Sequence, residues 1–378
     1  MERISLQPRS GWQQQFEQLG FSYHSIDGLY WDERYAYRFT EQQIDVLEQA
    51  TEDLHQMCLQ AVDHVLRHGM QERFSIPPNF WQRVEQSWRE REFSLYGRFD
   101  LSWNGQGAPK MLEYNADTPT GLVESSVAQW YWLQDVFPDA DQFNSIHEKL
   151  IAQWQSFPHK GMLHFACIMQ NEEDEGNLSY LRDTAIQAGL TTRQLGVEQI
   201  GWDAQRARLV DDVDLVIDNL FKLYPWEWLS REAFAVHLEQ PSTHMRIIEP
   251  AWKMILSNKA ILPVLWELFP GHPNLLPAFV DRWRIQGDYV KKPLYSREGE
   301  NISIYRGSEV IHTDGEYGAE GYVYQALAPQ PFFDDGITPA YTSIGSWVVG
   351  DQAAGIGIRE DATLITKNTS RFIPHYFE

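Results

Sequence analysis

Four polar residues in the stretch GRFDLSWNGQGAPKMLEYNADTPTGLVESS, residues 97–126, have the types and spacing to do chemistry together. Arg98 and Asp100 are two apart, as are Glu113 and Asn115, so each pair shares one face of a strand. The intervening WNGQGAPK is rich in turn residues, and the stretch reads as a β-hairpin that gathers all four groups at one place. Two carboxylates and an amide oxygen form a hard, oxygen-only donor set, suited to Mg2+ or Mn2+ completed by waters and phosphate oxygens. The planar fork of Arg98 suits phosphate. The same pattern also fits a surface hairpin with alternating polar residues and an ordinary Arg–Asp pair.

Other candidates lie where neighbouring elements would hold them. In ADTPTGLVESS, Thr118, Thr120 and Glu124 present donors and an acceptor near a helix start, or simply cap it. MLHFACIM, QNEEDEGN and LSYLRDTAIQAG read as strand, loop and helix, and VDLVIDNLF as a second strand, which together make an α/β unit. Glu172, Glu173, Asp174 and Glu175 are thus expected in an acidic loop past a strand's C-terminal end, where α/β folds place ligands. That loop is either solvated or a cradle for a polyamine or another ammonium group. Lys259 precedes a helical run. Lys292 ends the strand DYVKKP and is followed by a turn with Arg297 and Gly299, then a strand from Ile302. A lysine at a strand end beside a glycine loop is a phosphate-binding arrangement, although no Walker A pattern is present. GYVYQALAP reads as an apolar strand leading into a loop, and YTSIGSWVVG and AAGIGIRE as strands with Arg359 near an end.

The scaffold around these groups is also visible. Thr40 is expected to cap a long helix running to about His68, with Ile44, Leu47, Leu54, Cys58, Ala61 and Val65 on one stripe and Gly69 as the stop. Pro77 and Pro78 open a second helical stretch. With 378 residues the chain can bury a large core or form two to three domains. The boundary expected here separates residues 1–240, helical and α/β with the metal-binding hairpin and acceptor site, from an interleaved 241–378 region carrying the lysines, loop and adenine contacts.

Composition narrows the partners. Against 53 Asp and Glu stand 31 Lys and Arg, a formal charge of -22, which argues against nucleic acid or an anionic membrane and would welcome a cationic ligand. Only Cys58 and Cys167 occur, with no metal-ligand spacing or disulfide framework. MERISLQPRSGW has no apolar leader region and no run of about 18 apolar residues appears, so the cytoplasm is the expected location.

The segments GRFD, LEYNADTPT, EPAWKMILSNKAILPVLWELFP and VKKPLYSREGENI together resemble the synthetase part of the glutathionylspermidine synthase family, in particular its short, stand-alone acid–amine ligase type. The resemblance spans nearly the whole chain and implies an α/β ATP-grasp fold with an N-terminal pre-ATP-grasp region, using ATP and Mg2+. It implies Asp100, Glu113 and Asn115 as metal ligands and Arg98 at the ATP and acyl-phosphate site. Lys259 and Lys292 match the ATP-binding lysines, Gly299 the phosphate-covering loop, and Gln325, Ala326 and Leu327 the adenine-contacting segment. Arg359 matches the arginine that stabilises the transferring phosphate. Thr118 matches a hydroxyl residue contacting glutathione, while Asp174 and Glu175 fall where paired acids hold the polyamine. Two positions depart: Leu223 replaces a threonine that contacts glutathione, and Arg371 replaces an acidic residue near the C-terminus. With Glu378 as the last residue, little tail is expected to close the site.

The activity so implied is ADP-forming ligation of a peptide-like acid to a polyamine or amino-acid amine. The departures motivate a second possibility, an ATP-binding protein that has lost ligation and serves as a sensor or complex subunit. Composition alone allows a third, a carbohydrate-active enzyme using paired acids and exposed tryptophans.

Overall fold

The computed structural model describes residues 1–25, 28–158, 160–239 and 245–378. The helix expected after Thr40 is Glu41–Arg67. Gln43 N–H donates to Thr40 Oγ1 at 3.3 Å while Thr40 N–H donates to Gln43 Oε1 at 3.2 Å, so two of the helix's open donors are satisfied. Its predicted stripe is buried from Ile44 to Val65, packed on a large antiparallel sheet.

That sheet runs Arg371–Ile373, Gln352–Asp361, Ala340–Val349, Tyr96–Ser102, Lys110–Asn115, with Phe332–Phe333 added beside Ala340–Val349. The predicted hairpin therefore lies at one side of a sheet whose other strands come from the last fifty residues of the chain. Its register sets Arg98 opposite Asn115 and Asp100 opposite Glu113, with an irregularity just after Asp100. All four side chains thus meet on one face, as the two-residue spacing predicted. Gly345, paired with Asp100 on the next strand, lets the Arg98 side chain lie flat: a Cβ at 345 would stand 2.9 Å from Arg98 Cδ.

A second antiparallel sheet carries the lysine strand Tyr289–Pro293 between Tyr322–Ala326 and Ser303–Arg306, with Ala278–Phe279 and Glu309–His312 at its edges. A parallel sheet, ordered Arg246–Ile248, Asn219–Leu223, Leu163–Cys167, Thr192–Gly196, forms the expected α/β unit. Here one expectation is corrected. The acidic run is the first turn of the helix Glu172–Gln187, capped by Asn171, whose Oδ1 accepts from Asp174 N–H at 3.2 Å. Four carboxylates repel one another, but each also faces the positive end of the helix, which offsets the repulsion.

Glu2–Ser5, Tyr35–Phe39 and His375–Phe377 form a small sheet that ties the two ends of the chain together. A buried Glu249–Lys253 pair anchors the start of the hairpin. Glu249 accepts from the N–H groups of Leu95 and Tyr96 at 3.0 and 3.1 Å, and Lys253 Nζ donates to Tyr96 O at 2.6 Å. Burial pushes the Glu249 carboxyl up and the Lys253 ammonium down, against the attraction between them. Among the described residues no helix is long and apolar enough to cross a membrane.

Candidate active site

The carboxylate hairpin and the lysine sheet face each other across one cavity, lined by Arg98, Asp100, Glu113, Asn115, Thr118, Lys292, Gly299, Gln325, Ala326, Leu327 and Arg359. Lys259 reaches it through Glu113. Its Nζ stands 3.1 Å from Glu113 Oε2 and donates to Ser296 O at 2.6 Å. Lys292 Nζ donates to Leu112 O and Gln325 Oε1, both at 2.8 Å, and Gln325 Nε2 in turn donates to Met111 O at 3.1 Å. These bonds clamp the lysine sheet to the hairpin. Burial lowers Lys292 to about 8, although Glu113 opposes the shift. Burial alone would raise Glu113, but Lys259 and then Lys292 outweigh it and hold the carboxylate down at about 2. Glu113 is therefore anionic throughout the working range.

Asn115 Nδ2 lies 3.3 Å from Asp100 Oδ2 and 3.2 Å from Glu113 Oε1. Two carboxylates thus converge on one amide, whose oxygen takes the place of its NH2 by a simple flip. Among the described residues no group of three or more His, Cys, Asp or Glu is arranged for a metal. The mixed set of two carboxylates and one amide oxygen fits Mg2+, which keeps waters and phosphate oxygens in its shell.

Arg98 is oriented by its own strand and the following loop: Nε and Nη2 donate to Asp100 at 2.7 and 3.2 Å and Nη1 to Thr120 O at 2.5 Å. Arg359 enters from the same sheet, two strands away from Arg98, Nη2 donating to Lys367 O and Asn368 O at 2.7 and 2.8 Å while the guanidinium lies over Phe372. Arg98 is thus held at all three of its guanidinium nitrogens, whereas Arg359 is held through Nη2 alone and its buried Nε has no hydrogen-bond partner among the described residues. Thr118 Oγ1 accepts from Arg297 Nη2 at 3.0 Å. Gly299, at φ +75°, brings its loop against the 365–366 segment, where a Cβ would meet Ile365 Cγ2 and Thr366 O at 2.7 Å each.

Val290, Ile302, Ile304, Leu327, Leu364 and Ile365 make an apolar slot on one wall of the cavity. Sequence reasoning named only Leu327 of these. The alternation of Ile302, just ahead of the strand Ser303–Arg306, with Ile304 on it is the signal that points to those two.

The acceptor residues divide. Asp174 faces Glu173, Arg297 and Glu298, and burial, then Glu173, push its carboxyl up to about 7 while Arg297 pulls it back. Glu175 is not brought to the same place. Its Oε1 accepts from Gln170 N–H at 2.7 Å, and it lines a separate surface hollow with Glu172 and Asp183. Leu223 is buried in the core of the parallel sheet with Phe221 and Cys167. The adjacent Lys222, 2% exposed, points to the opposite face. Its Nζ donates to Asp117 Oδ1 at 2.6 Å and lies over Trp226. Arg371 bridges two buried carboxylates, Asp32 and Glu360, at 3.0 Å each.

Two arginines and two lysines gathered over an oxygen donor set, framed by antiparallel sheets beside a parallel one, belong to a mixed α/β protein of the ATP-grasp class. Comparison with known proteins agrees. The family described as glutathionylspermidine synthase preATP-grasp matches residues 3–378, and the chain belongs to that family. It is 44% identical over 398 aligned positions to the "Putative acid--amine ligase" of Haemophilus influenzae, covering all of both chains. It is 30% identical to the bifunctional glutathionylspermidine synthetase/amidase of Escherichia coli, covering 91% of this chain and 59% of that one. With the trypanothione synthetase of Crithidia fasciculata it shares 29% identity over 84% of this chain and 53% of that one. The chain thus spans little more than half the length of these last two. In fold it is similar to a glutathione synthetase-like effector from Globodera pallida, with a TM-score of 0.57 at 10% identity over 93% and 90% of the two chains. The named relatives are ligases and synthetases, and the expected enzyme class, a carbon–nitrogen ligase, stands with them.

Proposed function

We propose that this protein is an ATP-dependent acid–amine ligase that forms an amide through an acyl phosphate. One observation supports this most: Arg98, Lys259, Lys292 and Arg359 converge with Asp100, Glu113 and Asn115 on a single cavity, and half-buried acids lie just beyond it. In an otherwise acidic protein, that clustering of cations suits triphosphate. The apolar slot beside Gln325, Ala326 and Leu327 suits the adenine ring.

Asp100, Glu113 and Asn115 would hold Mg2+, which supplies charge neutralisation on the phosphates. The substrate carboxylate attacks the γ-phosphorus and the bond to the β-phosphate oxygen breaks, releasing ADP. The amine then adds to the acyl carbon, loses a proton, and inorganic phosphate leaves. Arg98 and Arg359 stabilise the charge that spreads over the transferring oxygens, and the lysines fix the chain of phosphates, so the protein contributes position and electrostatics. Gly299 lets its loop lie close over the phosphates. Thr118 and Arg297 are set to orient the acid, and Asp174, with its raised affinity for protons, can hold the ammonium or accept its proton.

The departures at Leu223 and Arg371 do not require a degenerate binding protein, because the first fills a core and the second satisfies buried acids. The test is ADP release from ATP and Mg2+ across a panel of peptide-like acids and amines, with products weighed by mass spectrometry. The expected result is ADP dependent on one acid–amine pair and a product lighter than their sum by one water. Nucleotide binding with no product from any pair would overturn ligation in favour of a sensor or complex subunit.

A further inference from the structure

One buried acid beside the cavity has no part in the reaction as described. Glu227 lies on the short helix Trp226–Leu229, which follows the strand Asn219–Leu223, and its Oε1 stands 3.6 Å from Arg297 Nη1. At that distance the contact is an ion pair rather than a hydrogen bond. Trp228, on the same helix, has its ring 5.9 Å from the Arg297 guanidinium. Burial pushes the Glu227 carboxyl up, and Arg297 is the foremost charge drawing it down. Arg297 and Thr118 line the cavity, whereas Glu227 does not.

The two groups that hold Arg297 come from distant parts of the chain but share one frame. Trp226 N–H donates to Asp117 Oδ2 at 2.7 Å and its indole Nε1 to Glu249 O at 2.9 Å. The residue before Glu227 is thereby tied to the residue before Thr118. Thr118 Oγ1 accepts from Arg297 Nη2 at 3.0 Å, so the guanidinium meets Glu227 through one terminal nitrogen and Thr118 through the other. The backbone on either side of this arginine is anchored separately. Lys259 Nζ donates to Ser296 O at 2.6 Å, and Thr313 Oγ1 donates to Gly299 O. Between these anchors Glu298 sits at φ +51°, a conformation that side chains other than glycine resist. The Arg297 side chain therefore carries the tie that keeps the middle of the loop against the acid side of the cavity. A rival acid is within reach, because Arg297 also draws down the Asp174 carboxyl.

We propose that Glu227 is a positioning residue: from behind the cavity wall it holds Arg297 against Thr118, where the guanidinium serves the acid substrate, and keeps it from pairing with Asp174. This rests on the ligase reading for the acid, but not for the first measurement. With Glu227 gone, the guanidinium is left to Asp174, the group that serves the amine, and the acid loses an oriented partner.

Trypsin cleaves after arginine, so Arg297 reports on its own tether. Protein with Mg2+ and a non-hydrolysable ATP analogue is digested under native conditions, and cleavage after Arg297 is followed by mass spectrometry beside cleavage after Arg206, which lies in an exposed turn. Glu227→Gln should be cut after Arg297 roughly fivefold faster than wild type, the scale of a partly exposed ion pair, with cleavage after Arg206 unchanged. Glu227→Asp should fall between the two. With the acid–amine pair that releases ADP, Glu227→Gln should raise the KM for the acid by a similar factor and leave the KM for ATP unchanged, since Lys259 and Thr313 still hold the ends of the loop. Cleavage after Arg297 at the wild-type rate overturns the proposal, as does equal acceleration at Arg206 or faster cleavage with an unchanged KM for the acid. Should Glu227→Gln not fold, Glu227→Asp is measured instead, and wild-type cleavage there is equally fatal. Faster cleavage at Arg297 alone in a protein that forms no amide from any pair leaves the tether standing and removes the ligase. Wild-type cleavage in an active ligase removes the tether alone.

Discussion

Asp174 keeps its proton to a higher pH than a free aspartate because burial and Glu173 disfavour its charge, which moves it from the ordinary 3.8 to about 7. The folded state thus binds more protons than the unfolded chain between these values. Stability contributed by the protonated carboxyl is complete below pH 3.8 and is lost as pH rises through 7. Discounted for the solvent that still reaches it, the loss is roughly 1 kcal/mol. Asp174→Asn should therefore raise the melting temperature by about 2 °C at pH 8, with the gain vanishing near pH 4; thermal melts at the two pH values check this. Residues of this kind differ in how far the sequence reveals them. Arg98, Asp100, Glu113 and Asn115 are legible because a strand's two-residue repeat is local. The partners of Asp117 and Glu124 are not, since Lys222 and Tyr30 lie 105 and 94 residues away. Only a tertiary fold brings such residues together.

At the scale of elements, the loop carrying Arg297 and Gly299 has the most to lose from a single methyl group. Gly299 sits at φ +75° with no room for a Cβ against Ile365 and Thr366, so Gly299→Ala is strained twice, by backbone conformation and by contact. The loop would lift from the cavity while Lys292 on its rigid strand stays in place. The expected outcome is about a tenfold weaker nucleotide affinity and faster proteolysis at 296–300, with the global melt little changed. Titration with a fluorescent ATP analogue and limited proteolysis measure the two effects. Elements also show where reading the chain fails. The hairpin and the helix after Thr40 follow local rules of turn and cap. The acidic run reads as a loop because the polar QNEEDEGN lies between an apolar strand and a helical pattern. Asn171 ahead of the four carboxylates and the preference of acids for a helix's first turn are the stronger signal. The error has a consequence for the site, because in a helix adjacent residues point in different directions. Asp174 turns toward Arg297 while Glu175 turns back to Gln170.

For the molecule as a whole, the ends of the chain are tied to the sheet that carries Arg359. Arg371 lies on the strand paired with Gln352–Asp361, opposite Glu360 in register. It contacts Glu360 and Asp32, both fully buried. Glu360 also takes Arg3 and the Tyr37 hydroxyl at 2.6 Å each, and Asp32 takes Arg34 at 2.7 Å. Arg371 is thus one of three arginines neutralising two buried acids, and it is the one that joins them. Arg371→Ala removes that joint but leaves each acid another partner, so the loss should be about 1–3 kcal/mol rather than the 3–5 of an acid left alone. Arg371→Glu places a third carboxylate against two buried ones and should cost more than twice as much, enough to impair folding of the sheet. Denaturant titrations of the two variants beside wild type provide the measurement. Similar midpoints for Ala and Glu would mean that Arg371 is a solvated surface group. Because Arg359 sits one residue before Glu360 on the same strand, the Ala variant should also weaken nucleotide binding in proportion to its loss of stability. A variant that lost stability while binding nucleotide at wild-type strength would separate the arginine's orientation from the network that ties the chain ends.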